Sequence, residues 1–141
     1  MLLRFLAPVL LATFVLGLSP DTFADHHKTD EGYVSLFDGK SLEGWDGDPK
    51  FWSVRDGAIT GQTTSENKIV NGNTFLIWKG GEVADFELKL EYKISTEKGN
   101  SGIQYRSFTL PDNKDNKWRI GGYQADFEAG DRYSGICYGE K

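Results

Sequence analysis

The chain has 141 residues, 38% of them hydrophobic and 13% aromatic, with a formal net charge of -5. This length suits one domain with a packed core, and the apolar content excludes disorder throughout. With an acidic balance and no basic block, nucleic acid is excluded as an expected partner.

The chain opens with Arg4 and then a run from Phe5 to Leu18 that only Pro8, Thr13 and Gly17 interrupt. It continues as "SPDTFA", with the small residues Thr22 and Ala24 spaced like a cleavage signal. This pattern predicts a signal peptide over residues 1–24, cut after Ala24, and an exported protein, periplasmic or extracellular. The run falls short of the roughly 20 apolar residues that span a bilayer, so no stable membrane span is expected after cleavage. Residues 25–31, "DHHKTDE", read as a polar tether and carry both histidines, His26 and His27. The domain proper is expected over residues 32–141.

In chain order, "GYVSLFDGKSLEGW" predicts a short strand, a turn at Asp38–Gly39 and a core anchor at Trp45. "FWSVRDGAITGQT" places two short β-like runs around Asp56–Gly57, a pair suited to a two-residue hairpin turn with positive φ. "NTFLIWK" is a further apolar strand. In "ADFELKLEYKIS", Phe86, Leu88, Leu90, Tyr92 and Ile94 alternate with Glu87, Lys89, Glu91 and Lys93, which predicts one long half-buried strand. "NSGIQYRS" sets Ile103 and Tyr105 on one phase and Gln104 and Arg106 on the other. "LPDNKDNKW" is a polar loop; Asp112, Asn113, Asp115 and Asn116 are oxygen donors, but Lys114 breaks an EF-hand spacing. "GGYQADF" and "RYSGICY" complete the series. Tyr123, Ala125 and Phe127 share a phase, and Gln124 and Asp126 share the other. The single cysteine, Cys137, leaves no internal disulfide and is expected as a small core residue.

The strand spacing and 17 glycines predict an all-β sandwich or jelly roll, with one face of each sheet inward and the other polar. Glu–Lys alternation is the usual pattern of a solvated face. The Gln104/Arg106 and Gln124/Asp126 pairs are more distinctive. Were these polar phases aligned in one sheet, Glu91, Arg106, Gln124 and Asp126 would converge. A carboxylate base, a fixed cation and amide donors form a set that suits a sugar. No glycine-rich phosphate motif opens a helix, and no Ser/His/Asp set falls within the domain.

The blocks "VSLFDGKSLEGW", "FWSVRDGAITGQT", "NTFLIWKGGEVADFELKLEYKI", "NSGIQYRS" and "GGYQADF", in this order, resemble the 3-keto-disaccharide hydrolase domain family from about Tyr33 to the chain end. The resemblance implies a concanavalin-A-like jelly-roll β-sandwich of which this chain holds the N-terminal part, since family members continue with more strands. It also implies hydrolysis of 3-keto-disaccharides or 3-keto-glycosides by elimination and hydration through a C2 enolate. That chemistry needs one base, an oxyanion stabiliser and a proton donor. The implied catalytic residues are Asp126 as base, Arg106 on the enolate oxygen, and Glu91 as acid or metal ligand. Gln104 and Gln124 are implied to bind hydroxyls, with Tyr123 beside them. No cofactor is required by this scheme, although a divalent metal is an alternative electrophile to Arg106. A non-catalytic carbohydrate-binding module on the same sandwich, or an inactive fragment of the domain, is the competing expectation.

Overall fold

The computed structural model describes residues 32–111 and 114–140 and the backbone of residues 2–5. The remainder of the expected leader, the tether with His26 and His27, and Asp112 and Asn113 lie outside the described residues. Among those described there is no helix, so the chain is all-β, in small antiparallel sheets. The strands among them are β1 (Leu2–Phe5), β2 (Val34–Ser35), β3 (Trp45–Asp46), β4 (Trp52–Arg55), β5 (Ala58–Gly61), β6 (Ile77–Trp78), β7 (Phe86–Lys89), β8 (Asn100–Thr109), β9 (Ile120–Glu128) and β10 (Cys137–Glu140). The chain divides into two units, Met1–Asp38 with Gly81–Glu91, and Gly39–Gly80 with Tyr92–Lys141.

The first unit holds a three-stranded sheet in the order β2-β1-β7. Leu2–Phe5, part of the expected leader, pairs antiparallel with both neighbours. Tyr33, 1% exposed, anchors the unit, with Lys89 Nζ lying 4.1 Å from its ring centroid. Leu36 is buried as well. The expected long strand is cut short. Phe86 and Leu88 are half-buried while Glu87 and Lys89 are exposed, as predicted, but the strand ends at Lys89. A strand persists only while a partner supplies ladder hydrogen bonds. Here the partner β1 spans four residues, Lys89 pairing with Leu2 and Phe86 with Phe5. Glu91 therefore stands outside the strand, exposed.

The second unit carries the rest. β4 and β5 form the predicted hairpin, Arg55 opposite Ala58, with φ of 50° at Asp56 and 74° at Gly57. Two positive φ angles match the right-handed twist of the flanking strands, and Asp-Gly supplies them at low cost. β3 pairs with β6, Trp45 opposite Trp78, so the expected anchor Trp45 is half-buried in a two-stranded ladder. Trp118 Nε1 donates to Asp46 Oδ1 at 2.7 Å, and Phe75 N donates to Trp118 O at 3.0 Å, which ties the segment before β9 to β3 and to the segment before β6.

The largest sheet has the order β10-β9-β8. Its loop between β9 and β10 is held by one carboxylate. Glu128 Oε1 accepts from Arg132 N at 2.8 Å and Tyr133 N at 2.7 Å, while Ser134 Oγ accepts from Glu128 N at 3.0 Å. Hydrogen bonds to a charged acceptor outweigh neutral ones. Glu128→Ala is expected to lower stability by about 1–2 kcal/mol in denaturant unfolding. Amide exchange should accelerate at residues 131–134 first.

Candidate functional site

The site is built on the register of β8, β9 and β10. Gln104 lies opposite Gln124 and Gly102 opposite Asp126. On the far side of β9, Tyr138 lies opposite Gln124 and Glu140 opposite Gly122. Directly opposed residues in antiparallel strands point to the same face, and each strand alternates. Gln104, Gln124, Asp126, Tyr138 and Glu140 therefore share one face. Tyr105, Tyr123, Ala125 and Cys137 share the other.

Side-chain contacts agree with this assignment. On the first face, Gln124 Nε2 donates to Asp126 Oδ1 at 2.6 Å, and Gln104 Nε2 donates to Ile120 O at 3.1 Å. On the second, the Tyr105 and Tyr123 rings lie 6.1 Å apart, and the Tyr105 hydroxyl is 3.3 Å from Cys137 Sγ. That contact with the thiol is the main reason the Tyr105 phenol titrates above its ordinary range.

Burial reverses the expected polarity. Gln124 is 7% exposed and Glu140 8%, whereas Tyr123 is 50% exposed. Cys137, expected in the core, is exposed on the same face as Tyr123. Alternation reports a two-residue period but not which phase is covered, and here the covering segments lie over the polar phase. Asn73 Nδ2 donates to Glu140 Oε2 at 3.0 Å, Asn116 Nδ2 to Asn73 O at 3.0 Å, and Arg119 Nε stands 4.0 Å from Glu140 Oε1. Asn73, Asn116, Arg119 and Glu140 had no signal in the pattern of alternation. The contact across 67 residues between Asn73 and Glu140 exists only once the chain has folded.

Two glycines shape the site. A Cβ on Gly102 would stand 2.6 Å from Gln124 Cγ, so the glycine leaves room for the Gln124 side chain to lean across β8 toward Asp126. Gly122, at φ 149°, lies where β8 bulges: pairing runs to Tyr105–Tyr123 and resumes at Phe108–Gly121. A Cβ on Gly122 would lie 3.0 Å from Tyr105 O and 3.1 Å from Ser107 Cα.

The bulge corrects the expectation for Arg106. Arg106 and Ser107 together oppose the single residue Gly122, and Arg106 has φ 50°. It thus lies in the bulge rather than in the regular ladder that was expected to put it beside Gln104, and it is exposed. Bulges interrupt a ladder in this way and are frequent next to functional sites. The sequence-predicted residues are accordingly distributed as follows. Gln104, Gln124 and Asp126 are together, Arg106 projects from the bulge at the edge of their strand pair, Tyr123 faces the other way, and Glu91 belongs to the other unit.

Gln104 Oε1 is buried without a hydrogen-bond partner among the described residues. Among the described residues, no group of three or more His, Cys, Asp or Glu side chains gathers as a metal ion would require, so they name no ligand set for one. No described helix is long and apolar enough to cross a membrane.

A family model described as the 3-keto-alpha-glucoside-1,2-lyase-like domain matches residues 32–141. The chain belongs to this family. The domain match begins one residue before Tyr33 and runs to the last residue, in line with the resemblance carried by the sequence blocks. A curated relative, a 3-keto-disaccharide hydrolase of Bacteroides thetaiotaomicron, is 34% identical over 80 residues, which is 53% of this chain and 27% of the relative. The match thus spans about a quarter of that relative's length. No solved structure matches. The all-β architecture fits the jelly-roll-like character of the 3-keto-alpha-glucoside-1,2-lyase-like domain, and the Gln104–Gln124–Asp126 face falls inside it.

Proposed function

We propose that this domain cleaves the glycosidic bond of 3-keto-glycosides, with Asp126 as the base that removes the proton on C2. The C3 ketone makes that proton acidic. Its removal gives an enolate, and collapse of the enolate breaks the C1–O bond. The departing oxygen takes a proton, leaving a 3-keto sugar unsaturated between C1 and C2. Water then adds across that double bond, its oxygen to C1 and its proton to C2, so the net change is hydrolysis. Elimination and hydration are the two halves of that net hydrolysis, which reconciles a lyase-like family with a relative named hydrolase.

The observation that carries the reading is the Gln124–Asp126 hydrogen bond on the same sheet face as Gln104. It orients one carboxylate oxygen and leaves the other for a proton, as a positioned general base requires. Gln104 braces this face from within, with Nε2 on Ile120 O and Oε1 buried. Arg106, exposed in the bulge two residues after Gln104, supplies positive charge for the enolate oxygen. Tyr123, on the opposite face, has no part in this set.

The test uses the full chain with a 3-keto-disaccharide and, separately, the same disaccharide without the ketone. Monosaccharide should be released from the ketone alone, with deuterium from D₂O at C2 of the product. Equal release from both sugars, or sugar binding with no release, overturns the proposal; the latter outcome identifies a carbohydrate-binding module.

We further propose export, supported by the apolar run from Phe5 to Leu18 and the small residues before Asp25. Cleavage after Ala24 would remove β1, the strand between β2 and β7. An intact-mass measurement of the protein recovered outside the cytoplasm should show the loss of residues 1–24.

A further inference from the structure

The geometry points to Tyr138 as an aromatic platform that stacks against the ring of a pyranoside held against Asp126 on the sheet face the two residues share; this rests on the proposed function. Three observations combine. Tyr138 lies opposite Gln124 in the β9–β10 register. Its neighbour Cys137 reaches the Tyr105 hydroxyl on the other face, so Tyr138 must turn toward Gln124 and Asp126. It is 49% exposed, while Gln124 and Glu140 beside it are 7% and 8% exposed. Of the described residues paired on this face of the three strands, Tyr138 is the one aromatic ring, and it is the most exposed member of the Gln124 pairing line.

A pyranose has two kinds of surface. Its hydroxyl edge matches amides and carboxylates, and its C–H face matches the electron-rich face of an aromatic ring. Half-buried Asp126 provides the first, and Tyr138 provides the second on the same face. Small-ligand sites typically combine an apolar or aromatic wall with a few placed polar groups. The ring of Tyr138 fixes which sugar unit lies over Asp126, so its contribution falls on binding rather than on the proton transfer.

The experiment compares the full-length wild type with Tyr138→Leu, Tyr138→Phe and Phe108→Ala. Phe108 is 57% exposed and sits on the opposite face, paired with Gly121. The ligand is the disaccharide lacking the ketone, titrated by isothermal calorimetry; turnover is followed with the 3-keto form. Tyr138→Leu keeps apolar bulk but loses the π face. It should raise Kd and KM about tenfold with kcat nearly unchanged. Tyr138→Phe and Phe108→Ala should bind within about twofold of wild type. Tyr138→Leu binding as tightly as wild type overturns the platform while leaving the catalytic reading intact. A wild type that binds sugar but never cleaves it overturns the catalytic reading and still tests the platform through Kd. A wild type that binds no pyranoside overturns both. Tyr138→Phe losing affinity with Tyr138→Leu assigns the effect to the hydroxyl and overturns stacking.

Discussion

Asp126→Asn is expected to reduce cleavage of a 3-keto-disaccharide by about 10²–10⁴-fold in kcat, the usual contribution of a positioned general base. The substitution is close to isosteric. The introduced amide retains an oxygen that can accept from Gln124 Nε2, so the local arrangement around the 2.6 Å hydrogen bond is preserved. What is lost is the basic carboxylate. Sugar affinity should therefore change little, and a thermal unfolding transition should stay near that of the wild type. Deuterium incorporation at C2 should fall in parallel with product release, because both follow the same proton abstraction. Retained activity in Asp126→Asn would move the base elsewhere.

Gly102→Val is expected to destabilise the chain by roughly 1–3 kcal/mol, the range for forcing extra atoms into packed space. Built on Gly102, even a Cβ stands 2.6 Å from Gln124 Cγ and 2.7 Å from Ala125 O. The Gln124 side chain could swing away, but the Ala125 carbonyl belongs to the backbone of β9 and moves only if the β8–β9 ladder opens. The valine thus acts twice: it strains the ladder, and it pushes Gln124 off Asp126. A lower denaturant midpoint together with lower kcat is the expected pair of results. An unchanged midpoint would mean that Gly102 and Gln124 do not approach as described. Gly102→Ala should show the same effects in milder form.

Much of the local structure was legible from residue order. The Asp56–Gly57 hairpin follows from turn chemistry, since two positive φ angles in sequence call for such a pair. Gln104, Gln124 and Asp126 were identifiable as candidates because polar residues on one phase of two β-rich segments are easily seen. Their meeting on one face needed the register, with Gln104 opposite Gln124. Arg106 was misplaced by the same reasoning. Strict alternation assumes an uninterrupted ladder, and the extra residue opposite Gly122 breaks it after Tyr105. No pattern in "QYRSF" announces that break. The expected strand through Ile94 failed for a related reason: its apolar period is correct, but period does not supply a pairing partner beyond β1. The reversal of exposure at Cys137, Tyr123 and Gln124 shows the remaining gap, because covering is a property of distant segments.

By itself, the amino-acid sequence determined an all-β fold class, the turn at Asp56–Gly57, membership in a family of sugar-active domains and the residue types of a candidate site. These depend on local stereochemistry and on residue order. Only the tertiary structure decided which phase is buried, where β8 bulges, that Gln124 grips Asp126 over Gly102, and that Tyr138 and Glu140 join their face. The physical reason is that strand register and burial are set by hydrogen-bond partners and packing contacts far apart in the chain, as Asn73 and Glu140 are.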